Sequence, residues 1–145
     1  MPGLPWPDRE RLRKALERET RQFVETHPRS RALHERARRS LLAGVPMHWM
    51  VRWAGGFPIV VAEGEGGRLR DVDGREYIDF CLGDTGAMAG HAPPAVAGAV
   101  AARMRRGAAF MLPVEEALWV GEELRRRFGL PAWQYAVSAT DANRF

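Results

Sequence analysis

Two residue types are almost absent from this sequence of 145 residues. It contains one cysteine, Cys81, and only one of its 22 basic residues, Lys14, is a lysine. A single cysteine excludes an internal disulfide framework and is typical of a reducing compartment, so we expect a cytoplasmic protein. Any chemistry that requires a lysine amine of this chain must use Lys14, which lies among arginines and glutamates and is poorly suited to become a desolvated catalytic group.

Long apolar runs are also missing. No segment reaches the roughly 20 apolar residues that a membrane-spanning helix needs, and the start of the chain lacks the apolar centre of a secretory signal. Basic residues are in excess in residues 1–50, where there are 11 against 6 acidic ones. Glu and Arg nevertheless alternate there, as on a solvated helix, and no nucleic-acid-binding motif is present. We therefore expect neither a membrane nor a nucleic acid as partner.

The first third of the chain predicts a helical arm, residues 1–44. One amphipathic helix is expected over residues 8–26, with Asp8 as its N-cap. A second is expected from a cap at Ser30 to about Leu42. Neither helix has an apolar face large enough to be stable alone, so the arm should pack on a larger body.

Residues 45–92 predict a small domain built from an antiparallel meander. Short runs rich in strand-forming residues suggest strands near 58–63, 67–72 and 75–80. The pair Asp73-Gly74 indicates a tight hairpin turn, because glycine supplies the positive φ that such a turn requires. A glycine-rich loop, "CLGDTGAMAGHAPP", completes this part.

Residues 93–145 predict two helices, at about 94–106 and 114–128, followed by a strand in "WQYAVS" and a helix starting at Thr140. A parallel strand there would have no partner within the chain. We therefore expect this segment to be the truncated start of a larger α/β domain, with the coding sequence continuing after it.

The segment "SATDAN" places small residues between the expected strand and the expected helix. Open backbone N–H groups at a helix N-terminus attract anions, and the hydroxyls of Ser138 and Thr140 add donors, so a phosphate is a suitable ligand. The alternative is an ordinary N-cap formed by either hydroxyl, with no ligand at all.

Taken in order, these segments resemble the class III, fold-type I aminotransferases, which use pyridoxal 5′-phosphate (PLP), and within them the group of glutamate-1-semialdehyde 2,1-aminomutases. The family shows stretches similar to "LxDxDGxxYIDF", "GxMxxGHxHP" and "SGTEAN", and the resemblance covers roughly residues 30 to 145. The matching residues are Asp71, Asp73, Gly74, Tyr77, Ile78, Asp79, Phe80, Met88, Gly90, His91, Ser138, Thr140, Ala142 and Asn143.

The resemblance implies an α/β fold of type I and an enzyme, normally a homodimer, that moves an amino group from an amino donor to a keto or aldehyde acceptor. It implies that Ser138, Ala139 and Thr140 bind the PLP phosphate. It also implies a substrate-side loop at residues 83–88, and no metal site. Ala139 replaces the usual glycine of the family motif, and a methyl group there could crowd the phosphate.

Asp84 and Thr85 stand where the aminomutases carry Ser and Trp. The pocket should therefore differ in shape, and we expect a substrate other than glutamate-1-semialdehyde. Arg52 is a candidate ligand for a substrate carboxylate, since a guanidinium can bind it with two parallel hydrogen bonds. His91 is expected to form a structural turn, and Cys81 to be a small buried residue.

The lysine and the acidic residue that act on PLP lie beyond this segment in the family, so the chain should hold no catalytic residue and should be inactive alone. Two other functions fit the sequence. One is a small basic interaction module, which salt-dependent binding to nonspecific DNA would support. The other is a degenerate, non-catalytic remnant of an aminotransferase.

Overall fold

The computed structural model describes residues 8–144, which form two compact units, one ending at Gly98 and the other beginning at Ala99. The first unit holds two helices, two short 3₁₀ turns and a three-stranded sheet. The next helix crosses the division, and the second unit holds the remaining two. In chain order the elements are α1 (Arg9–Thr26), α2 (Pro28–Ala37), the 3₁₀ turns Leu42–Gly44 and His48–Arg52, β1 (Val61–Glu65), β2 (Arg68–Asp71), β3 (Glu76–Ile78), α3 (Pro94–Met104), α4 (Glu115–Phe128) and α5 (Ala139–Ala142).

The first helix has the expected bounds, and its expected cap is confirmed. The Asp8 carboxylate accepts a hydrogen bond of 2.9 Å from the Glu10 amide and so satisfies one of the free amides at the start of α1. Leu12 and Leu16 are exposed, whereas Phe23 at the other end packs on the rest of the unit.

The expected bounds of the second helix are wrong at both ends. It begins at Pro28, whose fixed φ and missing N–H suit the first helical position. It ends at Ala37, and by Leu41 the backbone is extended. Ser30 is therefore inside α2 rather than before it, and it is fully buried.

The antiparallel meander is confirmed, in the order β1-β2-β3, with strands shorter than expected. Val61 pairs with Asp71 across the first two strands, and Arg70 pairs with Glu76 across the hairpin. Gly74 has a φ of 85° in the turn, as the Asp-Gly pair predicts.

Aromatic rings form the small apolar core of the first unit. The Phe23 ring lies 4.9 Å from the ring of Phe57 and 4.3 Å from that of His27, measured between centroids. Among residues 8–144, the hydrophobic side chains that are buried are those of Phe57 and Val45. The end of α1 is thus held against the segment that leads into β1.

The second unit is organised by contacts around α4. The Tyr135 hydroxyl donates a hydrogen bond of 2.9 Å to the Ala117 carbonyl, and Arg103 pairs with Glu116 at 3.1 Å. Both long helices that the sequence predicted here are present, although α3 ends two residues early. None of the helices formed by the described residues is long and apolar enough to cross a membrane.

The strand expected in "WQYAVS" is absent. Residues 132–137 adopt no regular secondary structure, and Tyr135 and Val137 are exposed. A strand exists only when it pairs with another, and the strands of residues 8–144 all belong to the antiparallel sheet of the first unit. The apolar pattern could not supply the partner that a strand needs.

Substitution by alanine should change the stability of the chain in opposite directions at two glycines, one directly after α4 and one inside α3. Gly129 ends α4 with a φ of 71°, where Cβ is disfavoured, so Gly129→Ala should lower the free energy of unfolding by about 1 kcal/mol. Gly98 lies inside α3 with open space around it, so Gly98→Ala should raise it by up to about 1 kcal/mol. Urea denaturation followed by circular dichroism measures both, and a common sign for the two variants would contradict this prediction.

Candidate functional site

The glycine-rich loop after β3 is closed at its base by Asp79. One carboxylate oxygen of Asp79 accepts hydrogen bonds from the amides of Cys81 and Leu82, at 2.9 and 3.0 Å. The other lies 2.6 Å from Nε2 of His91, and this hydrogen bond, together with the two amides, lowers the pKa of Asp79. The His91 backbone in turn pairs with Gly66. His91 therefore has the structural role that the sequence predicted.

Inside this loop the backbone is strained. Leu82, Gly83, Asp84 and Thr85 have consecutive positive φ values of 53°, 58°, 52° and 74°. This conformation is costly for side chains with a Cβ, and most of all for a β-branched one such as that of Thr85. Strain of this kind is concentrated at ligand-binding segments of proteins. It leaves the side chains of Asp84 and Thr85 adjacent and exposed.

The other candidate substrate ligand, Arg52, ends the 3₁₀ turn His48–Arg52 and is exposed. Among residues 8–144 no carboxylate forms an ion pair with it, and no hydrogen bond links it to Asp84 or Thr85. Its guanidinium is therefore available to a ligand. Cys81 is also exposed, so the expectation that it is buried is wrong: it follows the end of β3, in the loop whose first amides bind the Asp79 carboxylate.

The motif "DVDGREY" forms a clamp that the sequence did not reveal. The Asp71 carboxylate accepts hydrogen bonds from the amides of Asp73 and Arg75, both at 2.9 Å, and from the Tyr77 hydroxyl at 2.7 Å. Its side chain is fully buried. Burial and the bond to Asp71 raise the pKa of Tyr77 to about 12.

The second aspartate of this motif caps a helix that is distant in sequence. The Asp73 carboxylate accepts hydrogen bonds from the amides of Arg29 and Ser30 and from the Ser30 hydroxyl, at 2.7, 3.0 and 2.7 Å. Burial opposes the charge, but these three bonds outweigh it and lower the pKa of Asp73. The Ser30 oxygen also accepts from the Val60 amide. The hairpin thus holds the start of α2, and the only sequence signal was the pair of aspartates itself.

In the second unit, Ser138 is the N-cap of α5. Its hydroxyl oxygen accepts from the Asp141 amide at 3.1 Å and lies 3.0 Å from the Asp141 carboxylate. The ordinary cap, one of the two alternatives that the sequence left open, is therefore present. The hydrogen bonds of this cap engage the Ser138 hydroxyl and leave the amides of Ala139 and Thr140 free.

Ala139 and Thr140 fit an anionic group. Both are exposed, and no acceptor among residues 8–144 binds their amides or the Thr140 hydroxyl. Ala139 begins α5 and is not among the residues with positive φ, so its methyl group does not strain the turn. Two free amides and a free hydroxyl are donors that a phosphate monoester can accept from.

The model of the family "Aminotransferase class-III" matches residues 49–144, a range that includes the strained loop and the turn at Ser138. This chain belongs to the class III aminotransferases. The resemblance found in the sequence is thereby confirmed, and with it the fold-type I α/β class, since transaminases of known structure have the same fold. The family consists of PLP-dependent enzymes.

The similar proteins of known structure include an aminomutase and an aminotransferase. A glutamate-1-semialdehyde aminomutase from Pseudomonas aeruginosa is 55% identical, with a TM-score of 0.89 over 95% of this chain and 30% of that one. A lysine-to-alanine variant of it has been solved in complex with PMP. A β-phenylalanine aminotransferase from Variovorax paradoxus is 26% identical, with a TM-score of 0.82 over 90% of this chain and 30% of that one.

Among curated sequences, the glutamate-1-semialdehyde 2,1-aminomutase of Gemmatimonas aurantiaca is 35% identical over 119 residues. This match covers 80% of the present chain and 27% of that protein. The chain therefore spans less than a third of the length of these relatives.

Proposed function

We propose that the chain contributes to a PLP-dependent enzyme that moves an amino group between an amino compound and a keto or aldehyde acceptor. The observation that supports this most strongly is the family match over residues 49–144, a range that contains both the strained loop and the open turn. When bound, PLP acts as an electron sink for the bonds at the amino-bearing carbon. Small amino and keto compounds, and a second copy of the protein in a homodimer, are the proposed partners.

We assign the cofactor phosphate to Ser138, Ala139 and Thr140. The free amides of Ala139 and Thr140 and the Thr140 hydroxyl would donate to it, while the Ser138 hydroxyl caps the start of α5. The Asp141 carboxylate lies within hydrogen-bond distance of the Ser138 hydroxyl, and this contact partly compensates the negative charge of Asp141. Each donor holds the phosphate without taking part in bond breaking.

We assign substrate recognition to Arg52, Asp84 and Thr85. The unpaired guanidinium of Arg52 suits a carboxylate, which it can bind through two parallel hydrogen bonds. Asp84 and Thr85 are consecutive, exposed residues of the strained loop and supply a carboxylate and a hydroxyl, which suit a polar substrate. The proposed organisation is an arm at 1–44, a small domain at 45–92 and the cofactor-binding part at 93–145.

We expect the chain by itself to be inactive. Its only lysine, Lys14, is exposed on α1, and its Nζ pairs with the Glu10 carboxylate at 3.4 Å, so it is a solvated surface group. A lysine that captures a cofactor aldehyde must be available as a neutral amine. No amino transfer should be detected with the purified chain, and borohydride should fix no PLP specifically on Lys14.

The phosphate assignment predicts that the chain distinguishes PLP from pyridoxal, which lacks the phosphate. Binding of PLP should be at least roughly tenfold tighter, as expected for several hydrogen bonds to a charged group. Thr140→Val keeps the size of the side chain and the Ser138 cap but removes the hydroxyl, so it should reduce this ratio. The dissociation constants are measured by titration of tryptophan fluorescence.

Ser40→Ala is the matched control, since this exposed hydroxyl only donates weakly to the Ala37 carbonyl. It should leave the preference for PLP unchanged. Pyridoxal, unlike PLP, closes on itself to a hemiacetal and offers less free aldehyde, so the deciding quantity is the change of the ratio in Thr140→Val relative to Ser40→Ala. Equal affinities for PLP and pyridoxal in the parent chain would contradict the assignment.

A further inference from the structure

A partly enclosed cavity of about 230 Å³ is lined by residues from the end of α2, the two 3₁₀ turns and the segment that leads into β1. Its walls are mostly apolar, and the apolar side chains that form most of them are those of Val45, Met50, Val51, Trp53, Phe57 and Pro58. An apolar cavity of about 150 Å³ is sufficient for a benzene ring. The volume and the lining therefore suit a small molecule with one aromatic ring and a further polar group.

Two packed aromatic rings fix one wall of this cavity. The His34 ring stacks on the Phe57 ring, with centroids 6.4 Å apart and planes inclined by 27°. Phe57 also packs on Phe23, and both Phe57 and Val45 are buried. Because these side chains hold one another in place, the wall has its shape before a ligand arrives, and such preorganisation lowers the cost of binding.

The cationic group of the cavity belongs to Arg38, which directly follows the end of α2. Its stem packs closely over Gly44, where an added Cβ would lie 2.7 Å from the Arg38 Cγ. Among residues 8–144 no carboxylate pairs with the Arg38 guanidinium and no hydrogen bond engages it, whereas Arg31 of α2 pairs with Glu35 at 3.0 Å. None of the described residues that line the cavity is acidic. Apolar walls and a positive charge that these residues leave unpaired thus occur together.

We propose that this cavity binds a small aromatic carboxylate. The ring packs against the apolar walls that include Trp53 and Phe57, and the carboxylate accepts hydrogen bonds from the Arg38 guanidinium, whose N–H groups match its two oxygens. A neutral ring compound would leave the charge of Arg38 unpaired, and a carboxylate without a ring would leave the apolar walls uncovered. Arg52 does not line the cavity, so the site uses none of the residues assigned above to the cofactor or the substrate.

The test is a titration of the purified, ¹⁵N-labelled chain, followed by nuclear magnetic resonance at constant pH and ionic strength. Sodium benzoate should shift the amide signals of Val45 and Phe57 with a dissociation constant of about 10 mM or lower, as expected for a ligand of this size. The amides of α4, which belongs to the other unit, should not shift. Benzamide has the ring without the charge, and acetate has the charge without the ring, so each should bind at least about threefold more weakly than benzoate.

Arg38→Met removes the guanidinium and keeps an unbranched side chain at the cavity, so benzoate should lose its advantage over benzamide. Arg39→Met is the matched control, because Arg39 is exposed, does not line the cavity and has no side-chain partner among residues 8–144. It removes the same charge from the neighbouring position and should leave the preference for benzoate unchanged. Unchanged amide signals of β2 and α4 show that both variants are folded.

Three results would overturn the carboxylate site. One is the absence of benzoate-dependent shifts at Val45 and Phe57. Another is an affinity for benzamide or acetate equal to that for benzoate, since binding would then need only an apolar surface or only a surface charge. The third is the same preference for benzoate over benzamide in Arg38→Met as in Arg39→Met, because the guanidinium of Arg38 would then not hold the carboxylate.

Discussion

Replacing Asp71 by asparagine should lower the free energy of unfolding by about 3 kcal/mol, because a buried acceptor becomes a donor. In the parent chain both carboxylate oxygens accept, one from two backbone amides and the other from Tyr77. Asparagine has nearly the same size and can keep the first oxygen. Its NH₂ group then faces the Tyr77 hydroxyl, and the negative charge opposite His27 is lost.

Urea denaturation measures this cost, and Glu65→Gln is the matched control. Glu65 is an exposed residue of β1 with no side-chain hydrogen bond or ion pair to residues 8–144, so its neutralisation should change stability by less than about 0.5 kcal/mol. The double variant with Tyr77→Phe should cost less than the sum of the two single variants, because both break the same hydrogen bond between Tyr77 and Asp71, which can be lost only once. Equal costs for Asp71→Asn and Glu65→Gln would show that the clamp does not stabilise the chain.

The helices could be predicted because their signals are local. The expected start of α1 rests on Asp8, and the expected end of α4 at residue 128 is followed directly by Gly129, which has a positive φ. The start of α2 was misplaced because Ser30 is a good cap in isolation. In the folded chain Pro28 begins the helix, and the Ser30 hydroxyl bonds to Asp73, 43 residues away.

Only those parts of the site that are formed within one short segment could be predicted from the sequence. The hairpin at Gly74 and the turn at Ser138 are local, and both are present. The bond between His27 and Tyr77 joins residues 50 positions apart, and no periodicity or spacing in the sequence relates them. The strand expected before Ser138 failed for the same reason, since its formation depends on a partner and not on its own composition.

Two neighbouring glycines, Gly55 and Gly56, offer the largest contrast in packing. Both have positive φ, 94° and 88°, so alanine at either position should cost about 1–3 kcal/mol in backbone strain. At Gly55 a Cβ would also lie 2.5 Å from the Phe23 ring, whereas at Gly56 it would meet nothing within 4 Å. Overpacking adds about 1–3 kcal/mol, so Gly55→Ala should be clearly more destabilising than Gly56→Ala.

The Phe23 ring cannot easily move aside for the added methyl group, because it already packs on both His27 and Phe57. Gly55→Ala should therefore also disturb the junction between α1 and α2, while Gly56→Ala should not. Urea denaturation gives the difference in stability, and the ring resonances of His27 report the local change. If the two variants are equally destabilised and the His27 resonances stay in place in both, then the close approach of Gly55 to Phe23 does not determine how the end of α1 packs.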